Sequence, residues 1–294
     1  MTFSIVAVDK ENKEIGFAGA SCIYDAGRIG FVEAELGAIS TQAMVNWSLG
    51  PLGLEKLKEG LSLEEILKHF GEVDEDLESR QLGMVTYEGK VLAFTGSKCL
   101  GWAGHKTGKG YTCQGNILVS SKVIEDMAKA FEETQGTLAN RLYAALLAGD
   151  DAGGDSRGKE SARIIVEKKE AGFLKSDRII DIKVEDHDEP VKELGRILNV
   201  HNFFNTIFGI SQQYQEDKKT AIAEMEKFIG TNEERYTVNG WAHLGYLCFE
   251  EGLEEKARKY YRKAMQISPG FRTIFVQLPA LGRITEEFVK SVLE

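Results

Sequence analysis

At 294 residues, with 43% hydrophobic residues and a mean hydropathy of −0.24, the chain is long enough for two domains and a sizeable core. A net charge of −10 and a pI near 5.2 argue against nucleic acid or an anionic membrane as a partner, and no apolar run approaches the roughly 18 residues of a spanning helix. The N-terminus has no basic stretch leading into a long apolar one, so no signal peptide is expected and the chain reads as cytoplasmic.

Residues 2–8 read as a strand and 15–22 as its hairpin partner across a polar turn. Alternation puts Gly16, Ala18, Ala20 and Cys22 on one face of the second strand and Ile15, Phe17, Gly19 and Ser21 on the other. Short strands are expected over 31–35 and 36–43. A helix follows over 50–58, with Pro51 early, where its missing N–H costs little. Ser62 and Glu65 form a capping box for a helix to about residue 70. Residues 81–87 and 90–95 read as a hairpin around Glu88-Gly89, and the glycine-rich stretch 96–110 as a loop. A strand over 111–119, helices over 123–131 and 138–146, and strands over 161–168 and 178–184 complete this part. Strands in runs separated by pairs of helices predict an α+β fold of stacked antiparallel sheets between helical layers.

The four cysteines, Cys22, Cys99, Cys113 and Cys248, are far apart in sequence and lack a histidine at ligand spacing, and the five histidines are scattered. Reduced thiols are expected, with neither a metal nor another cofactor. After the acidic linker 185–190 the glycines thin out and the chain turns helical, so domains 1–184 and 185–294 are expected. Trp241, Leu244, Gly245, Gly252, Ala257, Tyr261, Ala264 and Pro269 resemble a tetratricopeptide repeat, with Cys248 at a usual tyrosine position. Ile210, Tyr214 and Ala223 hold matching places in a degenerate repeat upstream. So short an array implies a protein partner, a homo-oligomer such as a dimer, or completion by the helix near the C-terminus.

Thr2 follows Met1 directly. Removal of Met1 would leave a hydroxyl and a free amine on one residue, and such an amine, with a reference pKa of about 7.7–8.0, is suited to activating the hydroxyl. The start Met-Thr-Phe-Ser-Ile-Val-Ala, Ser40-Thr41-Gln42-Ala43 with Asn46, Thr95-Gly96-Ser97, Trp102-Ala103-Gly104-His105, Gln114-Gly115-Asn116 and Gly153-Gly154-Asp155-Ser156-Arg157-Gly158 together resemble the family called domain of unknown function 1028. That family is grouped with the N-terminal-nucleophile hydrolases, so the resemblance, over roughly residues 1–184, implies a four-layer αββα sandwich. Trp47 and Leu49 stand where the family tends to have proline and tyrosine, and Glu160 where it has glutamine.

On this footing Thr2 is the candidate nucleophile, and Asn116 either an oxyanion donor or a turn residue. Ser21 either bonds the Thr2 amine or serves the core. Asp155 and Arg157 either orient the amine and grip a substrate carboxylate or pair with each other. Gln42 and Asn46 line a pocket or close strand ends, and His105 shuttles protons or holds its loop. Two functions stay open: a hydrolase cleaving a small-molecule or peptide amide through Thr2, and a non-catalytic binding or scaffold protein acting through its helical repeats.

Overall fold

The N-terminal hairpin forms as expected: β1 (Thr2–Asp9) pairs antiparallel with β2 (Glu14–Ser21), Phe3 opposite Ala20 and Ile5 opposite Ala18. The computed structural model describes residues 2–214, 217–232 and 234–294, so Met1, whose removal the reading of Thr2 requires, lies outside the described residues. After β3 (Gly30–Glu33) and β4 (Gly37–Ala43) come the helices α1 (Leu49–Lys58) and α2 (Leu63–Val73). Next are β5 (Arg80–Thr86), β6 (Val91–Thr95), β7 (Trp102–Gly108) and β8 (Tyr111–Leu118). The helices α3 (Lys122–Glu133) and α4 (Leu138–Asp151) and the strands β9 (Ser161–Glu167) and β10 (Arg178–Val184) follow. One antiparallel sheet has the order β10-β9-β2-β1-β8-β7 and the other β3-β4-β5-β6.

Strand alternation decides what lies between the layers. Phe3, Ile5 and Ala7 of β1 point into a core shared with α3 and α4, while Val6 and Val8 point the other way, into the space between the sheets. On the four-stranded sheet, Ile39, Leu82 and Met84 face Leu54, Ile66 and Phe70 of α1 and α2. The sheets therefore pack face to face with a helical pair outside each. Phe17 is fully buried between them. A Cβ on Gly30 would lie 2.3 Å from its ring and one on Gly19 2.6 Å, so both neighbours must be glycine.

The stretch 96–110 is not a loop throughout, because residues 102–108 form β7, the edge strand of the large sheet. The pattern hid it for two reasons. As an edge strand it carries exposed His105, Lys106 and Thr107 instead of an alternating apolar face, and its register slips between Trp102 and Gly104. The capping box at Ser62 forms as read: the Ser62 Oγ accepts from the Glu65 N–H at 3.3 Å, and the Ser62 N–H donates to the Glu65 carboxylate at 2.8 Å.

The chain divides into two compact units, one ending at Leu198 and the other Asn199–Glu294. The change of unit falls inside the helix α5 (Pro190–Gln213), whose Val191, Leu194 and Leu198 belong to the core around α3 and α4. The second unit continues with α6 (Lys218–Gly230), α7 (Glu234–Glu250), α8 (Glu254–Ile267), α9 (Phe271–Phe275) and α10 (Glu286–Leu293). Gly252, with a φ of 70°, turns α7 into α8. Trp241 stacks on Tyr260 at 5.5 Å, and Phe288 of α10 meets Phe249 at 4.6 Å. No helix among the described residues is long and apolar enough to cross a membrane.

Candidate functional site

Thr2 opens the strand that lies between β2 and β8, directly opposite Asn116 of β8. Its parity is that of Ser4 and Val6, so its side chain faces the space between the sheets. The Thr2 Oγ1 donates to the Ser21 Oγ at 3.3 Å, and Thr2, Ser21 and Asn116 are 4%, 2% and 1% exposed. Thr2, Ser21 and Asn116, three of the eight candidates named from the sequence, thus converge at one end of three adjacent strands.

Asp155 ties that end together. Its Oδ2 accepts from the Cys22 N–H at 3.1 Å, just past β2, and its backbone bridges to Leu118 at the end of β8. Its Oδ1 accepts from the Arg157 N–H at 2.8 Å, and the Arg157 guanidinium lies 3.4 Å from Oδ2, so the two residues pair with each other. Gly153 and Gly154 carry φ of 107° and 51°, which lets the chain leave α4 and reach this position without a Cβ clash. Ile117, next to Asn116, has a φ of 49°, a left-handed conformation that costs a β-branched residue about 1–3 kcal/mol. Three bonds hold it there: its N–H donates to Leu100 O, and its carbonyl accepts from the Ser156 N–H and Oγ.

Deeper between the sheets lies a belt of neutral polar side chains. Ser4 Oγ bonds Ser40 Oγ at 3.0 Å, donates to Gln42 Oε1 at 2.7 Å and accepts from Gln114 Nε2 at 2.6 Å. Gln42 Nε2 faces Thr2 O at 3.2 Å and Gln81 Oε1 at 2.9 Å, and Asn116 Nδ2 donates to the same Gln81 oxygen at 3.0 Å. Gln81 Nε2 faces Gly104 O at 3.1 Å, Gly115 O at 2.8 Å and Thr95 Oγ1 at 2.9 Å. A buried amide left without such partners would cost about 1–3 kcal/mol, and here each finds them.

Gln42 is 1% exposed and its amide bonds only protein groups, so it meets Thr2 from behind. Asn46 sits in the turn after β4, where its Nδ2 donates to Asp74 at 2.8 Å and its Oδ1 accepts from the Ser48 Oγ at 2.7 Å. Arg80 binds both oxygens of that Asp74 and holds its pKa down at about 2. His105 is exposed on β7, its Nδ1 2.8 Å from Thr95 Oγ1, and desolvation lowers its pKa. Spacing alone does not mark Ser4, Ser40, Gln81 and Gln114 as site residues. Their signal is parity: each lies on the strand face turned towards the other sheet, in register with Val6, Ala38 or Val85 or with Asn116.

A profile described as a family of unknown function (DUF1028) matches residues 2–194. The crystal structure of protein SPO2555 from Silicibacter pomeroyi, described under the same family, superposes with a TM-score of 0.61 at 28% identity, covering 67% of this chain and 88% of that one. No match is found among curated proteins. With the profile spanning well over half its length, the chain belongs to the DUF1028 family.

Proposed function

We propose that the first unit is an amide hydrolase of the N-terminal-nucleophile kind, an αββα sandwich in which Thr2, freed of Met1, is the nucleophile. The observation that carries this reading is the convergence of Thr2, Ser21 and Asn116 at one end of three neighbouring strands. The Thr2 amine takes the hydroxyl proton as Oγ1 attacks the amide carbonyl carbon. The Asn116 amide and a backbone N–H steady the resulting oxyanion. The C–N bond breaks as the amine passes its proton to the leaving nitrogen, and water then hydrolyses the Thr2 ester with the same amine as base. The Asp155 loop holds the ends of β2 and β8 in place around the nucleophile.

The test begins with an intact mass that shows Met1 removed. The protein is then treated with a β-lactone that acylates an N-terminal threonine, followed by peptide mapping. Label on Thr2, lost in Thr2→Ala at an unchanged Tm, is the expected result; labelling that persists in Thr2→Ala removes the mechanism.

A second reading draws on the 4% exposure of Thr2, which leaves little room for a substrate. In it the sandwich is non-catalytic, and the second unit, similar to tetratricopeptide repeats, binds a protein partner or a second copy of the chain. Uniform retention of Met1 in protein purified from its source supports that reading, because an amide-blocked Thr2 nitrogen has no lone pair for a proton.

A further inference from the structure

We propose that Gln81 is a positioning residue that aims the Asn116 amide at the reacting carbonyl, and that Gln42 extends the same linkage to the backbone of Thr2. This rests on the hydrolase reading above.

The orientation of Gln81 follows from what surrounds it. Its Nε2 lies within hydrogen-bond distance of the backbone carbonyls Gly104 O and Gly115 O, which can only accept, so that end must be the NH2. The Oε1 therefore points the other way, towards Asn116 Nδ2 at 3.0 Å and Gln42 Nε2 at 2.9 Å. Asn116 must then present its NH2 to this oxygen. One N–H is spent on Gln81, which fixes the amide plane and the direction of the second N–H. Gln42 is pinned in the same manner, since its Nε2 also faces the Thr2 and Gln114 carbonyls. Two glutamines, 0% and 1% exposed and 39 residues apart in sequence, thus join the nucleophile's backbone to the oxyanion donor through one shared oxygen. Gln81 itself is fully buried, so it acts through Asn116 and never on substrate.

The experiment uses full-length protein with Met1 removed and a β-lactone probe. Thr2 Oγ1 attacks the lactone carbonyl, the ring C–O bond breaks, and the proton taken by the amine goes to the departing alkoxide, leaving a hydroxyacyl ester on Thr2. Asn116→Ala is expected to lower the inactivation rate constant about 10²–10³-fold, the usual loss of an oxyanion donor. Gln81→Met is expected to lower it about 10–100-fold with the probe's affinity unchanged, because a misplaced group costs up to about 10². The double variant is expected to match Asn116→Ala alone. Met84→Ala, equally buried but on the opposite face of β5 against α1 and α2, is the structural control and should leave the rate of folded protein intact. Effects that multiply in the double variant, or an equal loss in Met84→Ala, overturn the positioning role while Thr2 labelling keeps the hydrolase reading alive. A wild-type chain that takes no label at Thr2 overturns both. Should Gln81→Met fail to fold, Gln81→Glu replaces it. Its protonated form keeps an acceptor towards Asn116 and one donor towards the carbonyls, so its rate relative to wild type should rise as pH falls, and a ratio flat in pH overturns the proposal.

Discussion

At one end of the sandwich the space between the sheets is filled by Val6, Val8, Ile15, Phe17, Val85 and Ile165. Towards the other end of β1, β4, β5 and β8 it is filled by Ser4, Ser40, Gln42, Gln81, Gln114 and Asn116, all at most 1% exposed. The apolar end is held by contact area and shape, which act without direction and answer mainly to volume. The polar end is held by amide and hydroxyl bonds, each of which fixes a bearing as well as a distance. Thr2 and Asn116 sit at the directional end, and under the proposed hydrolase reading an oxyanion donor there must be aimed rather than merely enclosed.

The comparison breaks in different ways at its two ends. The largest effect belongs to Thr2→Ala, which is expected to lower turnover of a reactive amide or β-lactone by at least about 10⁴-fold with Tm nearly unchanged. Phe17→Ala is the reverse case: about 3–5 kcal/mol of stability lost in urea unfolding, with the labelling rate of the remaining folded protein unaltered. Gly83→Ala probes the belt itself. The added carbon would stand 2.2 Å from Gln114 Oε1, in a space with no slack. Up to about 3 kcal/mol should be lost, and a Gly83→Ala protein as stable as wild type would mean the belt can repack.

The smallest of these effects concerns charge. The belt's glutamines, serines and asparagine do not titrate, so acid sensitivity should come from its rim, from Asp74 with Arg80 and Asn46. The Asp74 pKa falls from 3.8 to about 2 on folding, chiefly through hydrogen bonding to Arg80. A depressed carboxylate pKa stabilises the fold fully above the unfolded value and ceases to do so as pH falls through the folded one. Asp74→Asn should therefore cost about 2 kcal/mol at pH 7 and progressively less below about pH 4, read as urea midpoints at a series of pH values.

Much of this architecture is readable from local pattern. The β1–β2 hairpin, the Ser62 cap and the paired helices follow from alternation, capping residues and 3.6-residue spacing. β7 escapes because an edge strand owes its pairing to a neighbour and not to its own composition. The belt escapes for a related reason. A glutamine in a strand usually reads as solvent-facing, and while Gln42 and Thr95 reach Gln81 from the neighbouring strands β4 and β6, its partners Gly104, Gly115 and Asn116 come from β7 and β8, which only sheet stacking brings near. The nearness of Thr2 to Asn116 is carried by the family resemblance, since the 113 residues between them impose no local geometry. For Asp155 and Arg157 residue type leaves two roles open, and in the fold they form a mutual pair, 3.4 Å apart.

One feature of the chain sets how it can be taken apart. Because α5 gives Val191, Leu194 and Leu198 to the core around α3 and α4, a polypeptide truncated at 184 would strip three aliphatic plugs from that core and leave a greasy hollow in their place. Dissection of the two units has to run through the middle of a helix, beyond Leu198, for the first unit to keep its own interior.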